Sequence, residues 1–110
     1  MKGIVKIGSE EVGMVANAAS PYIYRQIFHE DFLVKLQSEN PEADLFQKMG
    51  FVMAQQADMN LDELMGLSER DFWEWLEKYD ALDILLATQE ISDIYLAQKE
   101  GNSVPKSEGD

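Results

Sequence analysis

The 110-residue chain has no cysteine, a single histidine, His29, only two arginines, Arg25 and Arg70, and no long hydrophobic run. Each absence narrows the chemistry. Without cysteine there are no disulfides, no thiolate nucleophile and no cysteine metal site, and the redox compartment stays open. One histidine cannot supply the pair, one turn apart, that binds zinc on a helix. No apolar stretch approaches the roughly 20 residues of a membrane helix. The opening MKGIVKIGSEE turns acidic too early for a signal peptide, so a soluble, non-exported protein is expected.

What the chain does have is acid. The formal net charge is -12, with hydrophobic residues at 45%, enough for one domain with a modest core. Residues 1–40 carry four bases (Lys2, Lys6, Arg25, Lys35) against five acids (Glu10, Glu11, Glu30, Asp31, Glu39), a net of -1, so -11 lies beyond residue 40. Phosphate contacts need clustered Lys and Arg, which argues against nucleic acid as a partner.

GIVKIGSEEVGMVAN alternates with period two. Ile4, Lys6 and Gly8 face one way and Val5 and Ile7 the other, then Val12, Met14 and Ala16 repeat the pattern. A Gly8-Ser9-Glu10 turn predicts a hairpin over about residues 3–16, one that must lean on something else. From Ser20 the period becomes helical. Ser20 is placed as a cap, with Pro21 in the first position. Tyr24, Phe28, Phe32 and Leu36 follow at four-residue spacing with Ile27 between them. Asn40-Pro41-Glu42 is a second start signal, followed by a stripe of Leu45, Phe46, Met49, Val52, Met53 and Ala57.

ADMNLDELMGLSER is expected to be a connector with one short helical turn at most. Ser68, with Asp71 as a capping-box acid, opens a helix whose inner face is Phe72, Trp75, Leu76 and Tyr79. A last helix from about Asp80 runs through Ile84, Ala87, Ile91, Ile94 and Tyr95 until Gly101 stops it. The expected architecture is mainly α: about four helices with a short N-terminal hairpin in one domain, residues 1–100, then a flexible polar tail, 101–110.

Several groups of residues invite a chemical role. His29, Glu30 and Asp31 suggest an acid–base or metal site, or else a bend in which Asp31 caps the next turn. Asp58, Asn60, Asp62 and Glu69 stand at positions 1, 3, 5 and 12 of a calcium loop, yet the sharp-turn position is Glu63 rather than glycine. Met49, Met53, Met59 and Met65 suit either a core or an adaptable client-binding groove. Trp73 lies off the inner face of its helix, as a partner anchor or as packing beneath the hairpin. The acids from Asp58 to Asp83 fit a solvated face or a mimic of nucleic-acid phosphate.

The order of these pieces resembles a known family. AASPYIYRQIFHEDFLVKLQ, FQKMGFVMAQQAD and FWEWLEKYDALDILLATQEISDIYLAQ, after a short hairpin, resemble the tail assembly chaperones of long-tailed bacteriophages and prophages, over about residues 3–99. Relatives often carry glycine at the position of His29, where a left-handed bend joins two short helices; without that bend, residues 20–37 form one helix. The resemblance implies a non-enzymatic protein without cofactor or catalytic residues. It implies binding of the tape measure protein, which is kept soluble during tail morphogenesis. The host cytoplasm is the implied location, with the protein absent from the finished virion. Further implied partners are the tail tube protein, a frameshifted longer form of the chain and further copies of itself. The candidate partner contacts are Phe46, Met49, Met53, Met65 and Trp73. The rival expectation is an acidic interaction module, responsive to calcium or mimicking nucleic acid.

Overall fold

A computed structural model describes residues 2–42 and 44–103, with side chains to residue 97. Eight elements follow one another: strands β1 (Lys2–Ile7) and β2 (Glu10–Val15), then helices α1 (Ser20–Phe28), α2 (Phe32–Leu36), α3 (Leu45–Asp58), α4 (Leu61–Met65), α5 (Glu69–Leu76) and α6 (Ala81–Ser103). The protein is mainly helical with an N-terminal hairpin, as expected. The helices number six among the described residues, against the expected four or so. The excess has two sources: the first expected helix is broken in two, and the connector contains a full helical turn.

The hairpin pairs Val5 with Val12 and Ile7 with Glu10, so Glu10 belongs to β2 and the turn is Gly8-Ser9 alone. Gly8 has φ +66° and Ser9 does not share a positive φ, the arrangement that places glycine first in a two-residue hairpin turn. Val5, Ile7, Val12, Met14 and Ala16 are buried, and Ile4 faces outward at 67% exposure. Isolated hairpins are marginal. This one is supported by α3 beneath β2 and α6 beneath β1.

Helix α3 is the central element, packed against β2, α6 and α1. Leu45, Met49, Gly50, Phe51, Val52, Met53 and Ala54 are all buried, which takes in far more of its circumference than one stripe. Close approach of α6 depends on missing side chains. A Cβ at Gly50 would lie 2.7 Å from Ile91 Cδ1, and one at Gly3 would lie 2.6 Å from Ile94 Cδ1. Helix α3 begins at Leu45, after Asp44. Asn40-Pro41-Glu42 therefore precedes the helix instead of opening it. Among the described residues, the Glu42 carbonyl reaches the helix start, accepting from Leu45 N–H at 3.1 Å.

Aromatic rings run through the core in edge-on and tilted contacts. Tyr24 meets Phe28 at 4.9 Å and Phe32 at 5.2 Å, and Phe32 meets Tyr95 at 5.0 Å. On the other side Phe28 meets Phe72 at 5.2 Å, Phe72 meets Phe51 at 5.7 Å, and Phe51 meets Trp75 at 5.7 Å. Such pairs add about 0.5–1.5 kcal/mol each to the burial itself. Helix α6 passes through Gly101 to Ser103. Glycine is tolerated in a helix interior at about 1 kcal/mol, so it is a weak stop. The rest of the expected polar tail, 104–110, lies outside the described residues. Among the described residues no helix is long and apolar enough to cross a membrane.

Candidate functional site

The residues with the most conspicuous chemistry are used up in holding the backbone. His29 ends α1 with φ 58° and ψ 36°, the left-handed conformation, and its N–H donates to the Arg25 carbonyl at 2.9 Å. The expected bend therefore forms. The spacing of Tyr24, Phe28 and Phe32 spans two helices, and all three rings still reach the core. Asp31 caps α2, its Oδ1 accepting from Val34 N–H at 3.1 Å. The His29 side chain is exposed. Among the described residues no three His, Asp or Glu side chains converge as a metal site.

Glu30 connects the bend to α3. The fully buried Tyr24 donates its hydroxyl proton to Glu30 Oε2 at 2.5 Å, and Lys48 Nζ lies 3.5 Å from the same oxygen. Lys48 also lies 3.5 Å from Asp44 and 5.2 Å from the centre of the Phe28 ring. Burial alone raises the Glu30 pKa, but the Tyr24 hydroxyl, Lys48 and Lys35 outweigh it and hold the carboxyl below its ordinary value. The same burial, with the Glu30 charge, pushes Tyr24 far up. A carboxylate held ionised by the Tyr24 hydroxyl and the charges of Lys48 and Lys35 is a poor general acid, and a phenol pushed far up does not ionise at neutral pH. The cluster is a clamp between the bend and α3.

A second tie anchors the start of α1. Buried Ser20 donates its hydroxyl to Gln56 Oε1 at 2.6 Å and accepts from Asn17 N–H at 3.0 Å. Gln56 Nε2 donates to Asn17 Oδ1 at 3.1 Å, and the same oxygen accepts from Ala19 N–H at 2.9 Å. Ser20 is thus the first residue of the helix rather than its cap, and the cap-like acceptor is Asn17.

The calcium loop is not formed. Asn60 Oδ1 accepts from Glu63 N–H at 2.9 Å, and Glu63 Oε1 accepts from Asn60 N–H at 3.0 Å, a capping box that starts α4. Asp58 ends α3, Asp62 lies in the first turn of α4 and Glu69 in the first turn of α5. A coordinating loop needs these oxygens around one point, whereas a helix from Leu61 to Met65 occupies the middle of the segment. At the start of α5, Asp71 Oδ2 accepts from Ser68 N–H at 2.8 Å, as its spacing predicts.

The candidate partner contacts divide by burial. Met49 and Met53 are at 0% exposure and Phe46 is half-buried against Phe32 and Tyr95, so the methionine pair is core in this conformation and offers no surface to a partner. Met65 is 41% exposed and Trp73 54% exposed. Trp73 shares the outer side of α5 with Arg70, Glu74 and Glu77, and the elements beneath the hairpin are α3 and α6 instead. A groove of about 180 Å³ between α3 and α5 is lined by Phe51, Gln55, Met59, Leu67, Asp71, Glu74, Trp75 and Lys78. That is less than the 300–1,000 Å³ usual for small-molecule sites.

One surface escapes the stripe analysis of the sequence. Leu82, Leu85 and Leu86 stand at i, i+3 and i+4 near the start of α6 and are 63%, 59% and 67% exposed. The inner side of the same helix is Ile84, Ala87, Ile91 and Tyr95. The signal was available: ALDILLA holds six apolar residues in seven, and a helix lying on one side of a core cannot bury them all.

No protein-family model, curated protein or solved structure matches the chain at a significant level.

Proposed function

We propose that the chain is a non-enzymatic tail assembly chaperone of a long-tailed bacteriophage or prophage, binding the tape measure protein and keeping it soluble in the host cytoplasm. The observation that carries this is the placement of large apolar side chains, Trp73 and Met65 among them, on the outside of a chain with net charge -12. Exposed apolar groups give reversible hold on an apolar helical client, and the surrounding acid keeps the complex in solution. The commitment of Tyr24, Glu30, Asp31 and Asn60 to clamps and caps also fits an interaction protein. Of the five expected contacts, Met65 and Trp73 are retained, Phe46 is half-covered, and Met49 and Met53 serve the core.

Co-expression with the tape measure protein encoded nearby tests the proposal. The expected result is a soluble client that co-elutes with this chain, and a client that precipitates regardless overturns it. Trp73→Ala is expected to weaken the interaction about tenfold, the scale of a truncated aromatic anchor. Its melting temperature should stay within a few degrees of the parent, because the indole is more than half exposed. Unchanged co-elution would remove Trp73 from the binding surface.

A further inference from the structure

We infer that the Leu82–Leu85–Leu86 ridge of α6 is a docking surface for a basic amphipathic helix of another protein. Three large aliphatic side chains at helical spacing, each more than half exposed, form a ridge of the kind that seats between the ridges of a second helix. On a monomer each of these leucines leaves apolar area in water that burial against a partner would remove. The described side chains in the rest of α6 are made inward by Ile84, Ala87, Ile91 and Tyr95, so the ridge is a separate outward side.

The charge around the ridge selects the occupant. From residue 81 to 97 the helix contains Asp83, Glu90 and Asp93 and no Lys or Arg, and exposed Asp80 precedes it. Exposed Glu90 lies one turn beyond Leu86 and Asp93 two turns beyond, accepting from Gln89 Nε2 at 3.0 Å, so the apolar side gives way to an acidic one. A helix with leucine-like residues on one side and Lys or Arg along its flanks matches both features. A second copy of this ridge would bring the same acids together, which like-charge repulsion opposes. This surface lies on a different helix from Trp73 and Met65, and it does not depend on the chaperone proposal.

The probe is a designed amphipathic peptide with leucines at three- and four-residue spacing on one side and lysines on the other, titrated into the full chain by calorimetry. The controls are the same peptide with glutamates for lysines, and one of identical composition with the leucine order scrambled. Leu82→Ser/Leu86→Ser removes the ridge while leaving every acid in place. The expected result is saturable binding of the basic patterned peptide, weakened at least about tenfold by both controls and by the double variant. Circular dichroism should show the variant folded. Trp73→Ala should bind the peptide like the parent. Equal binding of the scrambled peptide, or of the double variant, would reduce the interaction to bulk charge and overturn the inference. Sedimentation showing a dimer that Leu82→Ser/Leu86→Ser dissociates would overturn it too, by making a second copy the occupant.

Discussion

The bend at His29 and the ridge on α6 are opposite in kind. In sequence the bend is the conspicuous stretch, with the only histidine, two adjacent acids and an arginine within seven residues, while the ridge is three ordinary leucines. In three dimensions the bend is saturated: Glu30 and Asp31 each have a backbone or side-chain partner, and His29 is spent on a left-handed turn. The leucines have no use inside the domain. Polar groups in the middle of a chain are most often recruited to satisfy backbone and buried donors, because leaving such a group unpaired costs about 1–3 kcal/mol. Surplus apolar surface has no internal claim of that kind, and it is the surplus that points outward to a partner.

The contrast can be broken most forcefully at Phe32. This ring is at 0% exposure directly after the Asp31 cap and contacts Tyr24, Phe46 and Tyr95. Phe32→Ala should cost about 3–5 kcal/mol in denaturant unfolding, the range for a buried phenylalanine truncation. A loss under about 1 kcal/mol would mean that the bend is not anchored to the core at all.

The clamp comes next. Glu30→Ala leaves the buried Tyr24 hydroxyl and the nearly covered Lys48 without their shared acceptor, and a loss of about 2 kcal/mol is expected. Glu30→Gln keeps an acceptor for Tyr24 and removes only the charge, so about 1 kcal/mol should go at neutral pH. The pH dependence has a definite sign. Glu30 is held below its ordinary 4.5, so its contribution is present above that value and is lost as pH falls through the lower folded value. The gap between the parent and Glu30→Gln should therefore close on acidification below 4.5. A gap that persists at the acid end would show that the Glu30 charge is not what holds the clamp.

How much of this was legible in the sequence depended on whether one residue type had one plausible use. The hairpin alternation, the cap at Asp31, the Asp71 acceptor and the inner stripes of α5 and α6 followed from period and position alone. Burial of α3 did not, because Gly50, Phe51 and Ala54 break a clean stripe and are hidden only once β2 and α6 close around them. For the same reason Met49 and Met53 could stand for groove or core. Asp58, Asn60 and Asp62 matched a calcium template because a capping box and an ion-binding loop draw on the same oxygens. The ridge went unseen because attention to which residues face the core leaves no test for those in excess of it.

His29 itself gives a smaller effect, opposite in direction. An L-residue in the left-handed region is strained by roughly 1–2 kcal/mol, and glycine relieves that at the expense of about 0.5–1 kcal/mol of extra chain entropy. His29→Gly should therefore raise stability by roughly 0.5 kcal/mol, while His29→Ala, with the Cβ retained, should not. If both variants lose stability equally, the His29 side chain makes a contribution that its exposed position does not explain.

The smallest expected effect bears most directly on the ridge. Leu86 is 67% exposed, so Leu86→Ser should leave unfolding free energy within about 0.5 kcal/mol of the parent. A core leucine truncated the same way loses 2–5 kcal/mol, so the two cases separate cleanly by urea titration. A neutral result leaves the ridge as surface available to a partner and preserves the contrast with the bend. A loss above about 1 kcal/mol would mean that Leu86 is packed in solution and that α6, like the bend, spends its side chains inside the protein.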